Sequence, residues 1–341
     1  MNPQAWAAQA EQALQAGRFD VAVPLLRKAA DAGHGAACQR LAQYLLHFEA
    51  ESGGAEALAR LAQAQQAGHP AGFYIEAVVA LGGRLLPADP ERIARALLEA
   101  ARLGMAQAVQ AVKWLQARAG PSMDLLPADL LAEQIRQGLE PVPMQVLSDA
   151  PRVAVAPALL SEAECRLLMD TASPRLRPST VHDPNTEETW RDPLRSSSDC
   201  SLDPLEEDFV LRWVQARMAA TAGCSLVQAE HLVVLHYAPG QEYRPHTDDL
   251  NPTALQRHRP QAGQRFRTLC AYLHPVEQGG QTEWPRLGLK VEPVMGSAVI
   301  FDNLNAHGQP DPLSLHAGAP VQAGRKWLAT LWWRQRAYRP W

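Results

Sequence analysis

Two hydrophobic rhythms divide the chain. Over residues 1 to about 118, alanine and leucine recur every three or four positions, the spacing of one helix face. Beyond about residue 230 the rhythm shortens to alternating runs rich in valine, threonine and aromatic residues, the pattern of strands. The first rhythm also repeats. Ala29-Ala30-Asp31-Ala32-Gly33-His34-Gly35-Ala36 returns as Ala64-Gln65-Gln66-Ala67-Gly68-His69-Pro70-Ala71, and again as Ala100-Ala101-Arg102-Leu103-Gly104-Met105-Ala106-Gln107. Gly33, Gly68 and Gly104 are 35 and 36 residues apart and each follows a helical stretch, where a C-cap favours a left-handed residue. A helix-turn-helix period near 35 predicts an α-solenoid of about three repeats. His34 and His69 fall at equivalent turns and read as turn residues rather than metal ligands.

Between the two rhythms, Gly120-Pro121, Pro127, Pro141 and Pro143 interrupt any long helix. Residues 119–150 therefore read as a linker holding one short helix, Asp129 to Gly138. Ser161-x-x-Glu164 is a capping box opening a helix to about Ala172. Pro174 to Ser198 is polar and turn-rich, a long loop. A second helix is expected over Leu205 to Ala222, with an apolar stripe through Phe209, Val210, Trp213, Val214 and Met218. Strands follow at 230–237, 242–247, 266–273, 281–284, 289–293, 297–302, 313–316 and 324–335, with a loop at 249–264. Helices first and then many short strands predict a jelly roll, a double-stranded β-helix with supporting helices. The expected organisation is thus a helical-repeat domain over 1–118, a linker over 119–150 and a β domain over 151–341.

Chemistry concentrates in the second rhythm. After the strand Val233 to Tyr237 and the turn Pro239-Gly240, an extended segment delivers His246-Thr247-Asp248. Alternate side chains of an extended segment share a face, so His246 and Asp248 can meet at one point while Thr247 turns away. One imidazole and one carboxylate are two of the three ligands of a facial triad. The third must be a distant histidine, and His307 and His316 are the candidates. Lys326 stands ten residues beyond His316. Strand alternation puts Lys326, Leu328, Thr330 and Trp332 on one face, and Trp327, Ala329, Leu331 and Trp333 on the other. A strand apolar on both faces is a buried central strand. A lysine there needs an anionic partner, from the protein or from a ligand.

With these residues in place, the segment Pro151 to Trp333 resembles the prolyl 4-hydroxylase branch of the Fe(II)- and 2-oxoglutarate-dependent dioxygenases. The resemblance rests on Leu160 to Cys165, Arg177 to Val181, Leu194 to Ser198, His236 to Asp248, Arg267 to Leu273, Gly279 to Pro285, Met295 to Ala298 and Ser314 to Trp332, in order and with matching spacing. It implies Fe(II), 2-oxoglutarate and O2 as the cofactor set, with ascorbate as an optional reductant. It selects His316, in Ser314-Leu315-His316, as the third ligand beside His246 and Asp248. It also implies Lys326, Thr268 and Tyr237 as contacts to 2-oxoglutarate, and Arg195, Trp332 and Tyr243 near the substrate. The repeats resemble Sel1-like repeats of the tetratricopeptide class. The chain departs from the family where substrate is met. Pro193 stands where an arginine is common, leaving Arg195. The lid around His182 to Arg191 and the loop after Asp248 are individual. The implied function is hydroxylation of prolyl residues in a protein or peptide, docked by the repeats. A free amino acid or small metabolite is the alternative substrate, and a non-catalytic interaction protein the alternative class.

Composition acts by exclusion. A net charge of −4 without a basic stripe disfavours nucleic acid as partner. A nucleic-acid demethylase of the same superfamily would be expected to hold its cosubstrate with arginine. Cys38, Cys165, Cys200, Cys224 and Cys270 show neither a Cys-x-x-Cys pair nor zinc spacing, and read as reduced thiols. No apolar run is long enough to span a membrane, and the first residues lack a signal-peptide pattern. The expected location is cytoplasmic.

Overall fold

A computed structural model describes residues 2–119, 127–182, 189–191, 195–204, 207–339 and 341. Contacts divide the chain into two units. The first is helical: Pro3–Gln15, Phe19–Asp31, Gly35–Phe48, Ala50–Gln66, Pro70–Gly82, Pro90–Arg102 and Ala106–Ala119 each pack on the next in sequence. Leu26, Ala29 and Ala30 of the second helix and Leu41, Ala42 and Leu45 of the third are buried, so small alanines let the axes approach. Gly33, Gly68 and Gly104 sit at φ 82, 71 and 83°, the left-handed turn that the repeat spacing requires. His34 caps the third helix, its Nδ1 accepting the Ala37 N–H at 3.2 Å. His69 takes the same position before Pro70.

The division differs from the sequence expectation in two places. The helix Ala128–Leu139, expected as part of a linker, belongs to the first unit because Leu131, Ala132 and Ile135 bury an apolar stripe. A Cβ at Gly138 would lie 1.6 Å from the Trp213 ring, and Trp213 Nε1 donates to Ile135 O at 3.2 Å. Glu207–Ala216 likewise groups with this unit, as does Trp341. The stripe Phe209, Val210, Trp213 and Val214 is buried as the sequence predicts, and the Phe209 N–H donates to Tyr74 Oη at 2.9 Å.

The second unit holds two main sheets, beside two small ribbons, Gln278–Gly279 with Val321–Ala323 and Thr180–His182 with Thr189–Arg191. Eight strands run in the spatial order Gln145–Asp149, Arg152–Ala156, Ala298–Asp302, Arg265–Tyr272, Lys326–Arg334, Leu232–Tyr237, Ser198–Leu202 and Arg177–Pro178. Four more run Leu289–Val291, Thr282–Trp284, His316–Gly318 and Tyr243–His246. Leu235, Tyr272, Phe301 and Leu328 from the larger sheet meet Trp284 and Val291 from the smaller in one core, the layering of a jelly roll. The capped helix Glu162–Ala172 forms with both reciprocal bonds of its box and packs on the larger sheet. Three expectations shift. The stretch Pro174 to Ser198, expected as a loop, includes the strands Arg177–Pro178, Thr180–His182 and Thr189–Arg191. Residues 313–316 are not one strand: Pro312–Ser314 is a 3-10 turn capped by Asp311, and the strand is His316–Gly318. The expected loop 249–264 contains the helix Pro252–Arg257, started by Asn251 as N-cap and Pro252 at its first position. No described helix is long and apolar enough to cross a membrane.

Candidate metal centre and cosubstrate pocket

The smaller sheet assembles the chemistry. His316 pairs with His246 across two antiparallel strands, and Asp248 follows two residues after the strand that ends at His246. One ligand atom from each of His246, Asp248 and His316 lies within 4.8 Å of the others. His246 Nε2 is 3.7 Å from Asp248 Oδ1, and His316 Nε2 is 3.8 Å from Oδ2. Both imidazoles are oriented by backbone. His246 Nδ1 is 2.8 Å from the Arg244 carbonyl and His316 Nδ1 is 3.0 Å from that of Ser314. A carbonyl only accepts, so each Nδ1 carries a proton and each Nε2 is the atom that turns to the cluster. Tyr243 stacks on the His246 ring at 3.4 Å, and Phe301 and Trp284 flank His316.

Protonation suits a cation. Burial, aided by the neighbouring His316, lowers His246 to about 4 and keeps it neutral. Burial works against the charge on Asp248, yet His316, His246, Arg265 and a hydrogen bond from Thr268 hold it below the ordinary carboxylate range. A neutral His246, the Asp248 carboxylate and the His316 imidazole facing an open pocket fit Fe(II), whose facial triad leaves positions for cosubstrate and oxygen. His307 lies exposed in a turn and stays outside this cluster.

Lys326 faces the same pocket, lined as strand alternation predicts by Lys326, Leu328, Thr330 and Trp332 together with Leu235 and Tyr237. It is 3% exposed, and no carboxylate of the described residues pairs with it. Its Nζ stands 5.7 Å from the ring centroids of Tyr237 and Tyr272. Burial lowers it to about 8. A buried ammonium without a protein anion is a receptor for a ligand anion. A Cβ on Gly318 would stand 3.7 Å from Nζ, so glycine keeps that side of the pocket open. Arg325 is exposed, one residue before the strand, and is not among the residues lining the pocket.

The remaining expected residues divide. Tyr237, Tyr243, Arg195 and Trp332 all line the pocket. Arg195 pairs with Asp199 at 3.1 Å and lies over Tyr243. Thr268 must be corrected. Its hydroxyl donates to Asp248 Oδ2 at 2.7 Å and is absent from the lining beside Lys326. Thr268 and Tyr272 share one face of their strand four residues apart, roughly 13 Å, and Lys326 is at the Tyr272 end. The threonine at that end is Thr282, which accepts the Tyr272 hydroxyl at 2.8 Å and lines the pocket. Thr282 lies in the quoted run Gly279 to Pro285, where alternation already puts it on the inner face with Trp284. The tip of the expected lid, 183–188, and the departure at Pro193 lie outside the described residues.

Comparison with known proteins follows this geometry. Residues 232–334 match the 2OG-Fe(II) oxygenase superfamily. Prolyl 4-hydroxylase 1 of Arabidopsis thaliana is 35% identical over 221 residues, spanning 60% of this chain and 76% of that protein. Prolyl 4-hydroxylase subunit alpha-1 of Rattus norvegicus is 34% identical over 189 residues, 55% of this chain and 35% of that subunit. Viral collagen prolyl hydroxylase from Paramecium Bursaria Chlorella virus-1, solved as its 2OG complex, is 25% identical with a TM-score of 0.43, covering 55% of this chain and 98% of that one.

Proposed function

The chain belongs to the prolyl 4-hydroxylase family of Fe(II)- and 2-oxoglutarate-dependent oxygenases, and from that premise we propose that it hydroxylates prolyl residues within a protein or peptide. The observation that carries the reading is one pocket with a His246, Asp248, His316 cluster at one wall and, at another, a buried lysine that no carboxylate of the described residues pairs with. Iron and 2-oxoglutarate, when bound, supply the oxidation with O2, releasing succinate and carbon dioxide. His246 and His316 would hold the metal through Nε2, and Asp248 would hold it through its carboxylate. Lys326 would neutralise the far carboxylate of 2-oxoglutarate, with the Thr282 hydroxyl lining the same pocket, which would leave the keto-acid end for the metal. Leu235 and Leu328 keep water from the walls. Trp332 presents an indole N–H that is buried without a partner, a donor available to a substrate carbonyl. The five free cysteines accord with a cytoplasmic setting.

Incubation with 2-oxoglutarate, Fe(II) and a library of proline-containing peptides should give products heavier by one oxygen, located on proline by fragmentation. Efficient turnover of free L-proline with peptides ignored would replace this substrate by a small metabolite.

The charge on Lys326 makes cosubstrate binding pH-dependent. In the free enzyme it loses its proton near pH 8, and a bound carboxylate raises that value. Affinity for 2-oxoglutarate should be constant below about pH 8 and weaken by about tenfold per pH unit above it, until the raised value is passed. Calorimetric titration with a redox-inert divalent ion present, at several pH values across this range, checks it. An affinity unchanged from neutral to alkaline pH removes Lys326 from the role.

We assign the helical unit, read as Sel1-like repeats, to docking of long substrates. Its support is an aromatic cluster in which Phe19 and Phe48 are exposed, with ring centroids of Phe19, Tyr44 and Phe48 5.0–6.0 Å apart. Aromatic surfaces suit polyproline II segments, which lose little entropy on binding. Replacing Phe19 and Phe48 together by serine should raise KM about tenfold for a long proline-rich protein, the effect of losing a binding hot spot. A short peptide should be unaffected. Equal kinetics for both substrates would remove docking from this surface.

A further inference from the structure

We propose that Asn303 and Thr268 form a positioning relay that fixes which oxygen of Asp248 is offered to the metal; this rests on the metal-dependent reading above. Thr268 and Asn303 are both fully buried. Thr268 Oγ1 lies 2.7 Å from Asp248 Oδ2, and Asn303 Nδ2 lies 2.9 Å from Thr268 Oγ1. The direction of both bonds is forced. An ionised carboxylate only accepts, so the single hydroxyl proton of Thr268 goes to Asp248. Asn303 can then approach that oxygen only with its NH2 group. The carboxamide thus commits the hydroxyl to Asp248, and the hydroxyl engages Oδ2 in a charge-assisted bond. Oδ1 accepts no hydrogen bond among the described residues and lies 3.7 Å from His246 Nε2. Oδ2 also faces the cluster, 3.8 Å from His316 Nε2, but its lone pair is engaged by Thr268, so a carboxylate so held would offer Oδ1 first to a metal.

Packing alone does not account for Asn303. Its backbone needs are met without the side chain: its N–H donates to Phe266 O at 2.8 Å and its carbonyl accepts from Asp311 at 2.9 Å. Its side-chain Oδ1 is buried with no partner, a destabilising arrangement that an apolar residue of the same size avoids. The donor at Nδ2 is what such a replacement loses. The relay reaches the metal only through Thr268, so Asn303 is a positioning residue and never touches the ion.

The test measures Co(II) affinity of the full chain by chelator competition, the visible spectrum of the Co(II) protein, and melting of the metal-free protein. Asn303→Leu and Thr268→Val should each weaken Co(II) binding about tenfold or more, the loss typical of an outer partner of a metal ligand, and should shift the spectrum. Thr268→Ser should restore both to near the parent. The double variant should be no weaker than Thr268→Val, since the relay is linear. Parent-like affinity and spectrum in Thr268→Val, or losses that add in the double variant, overturn the relay even where melting falls. Thr268→Val is isosteric and decides the matter if Asn303→Leu does not fold. A parent that binds no Co(II), or binds it equally after His246→Ala, overturns the metal reading itself and the relay with it.

Discussion

Replacing Lys326 by alanine is expected to raise the KM for 2-oxoglutarate by about two to four powers of ten, with metal affinity unchanged. Removing one member of a buried ion pair costs about 3–5 kcal/mol, and each 1.4 kcal/mol is about tenfold in affinity. Lys326 is buried, and no described carboxylate competes for it, so the whole of this interaction falls to the ligand. Arg325 offers no substitute, because it is exposed and does not line the pocket. A sharper version uses Lys326→Met, which keeps the side-chain length. It should bind 2-oxoglutarate and a 2-oxo acid of equal length without the distal carboxylate alike, whereas the parent strongly prefers the first. The same change should stabilise the ligand-free protein at pH 7. Burial brings Lys326 from 10.5 to about 8, a cost of roughly 3 kcal/mol that is fully present below pH 8 and fades as pH rises. A KM that does not move in Lys326→Met would give the carboxylate another receptor.

Lys326 was legible because its anomaly is local: a cation inside a run of apolar residues signals itself without knowledge of the fold. His246 and Asp248 were legible for a related reason, since two-residue spacing in an extended segment fixes a shared face. The third ligand was different. Spacing alone left His307 and His316 open, and the choice came from the family segment around His316; strand pairing of His316 with His246 is a fact of the fold. Thr268 shows where such reasoning stops. A buried strand threonine beside the metal ligand and one beside the lysine look alike in sequence, and only the order of strands assigns Thr268 to Asp248 and Thr282 to the Lys326 end. Asn303 carried no signal, because nothing local says that its neighbour is Thr268 on an adjacent strand. The helix Ala128–Leu139 was legible as a helix, yet its place was not. Prolines around it announce a linker, while its buried Leu131, Ala132 and Ile135 anchor it to the helical unit.

His246→Ala and His316→Ala should each reduce 2-oxoglutarate turnover below detection. One imidazole and one carboxylate remain in either variant, and two ligands hold a divalent ion poorly against water. Loss of an outer partner alone weakens metal binding about 10- to 100-fold, and loss of a ligand itself must exceed that. The two variants should differ in stability. His316 is buried against Phe301 and Trp284, so its removal opens a cavity in the core and lowers the melting temperature of the metal-free protein. His246 is more open, lying under Tyr243, and its removal should cost less. His246→Ala is therefore the cleaner test of chemistry, and His316→Ala needs its metal-free melting curve beside it. Asp248→Asn completes the set. It preserves shape but removes the charge that the two imidazoles and Thr268 stabilise, and metal affinity should fall while the protein remains folded. Tight metal binding and full turnover in folded His246→Ala would place the metal elsewhere and exclude this triad.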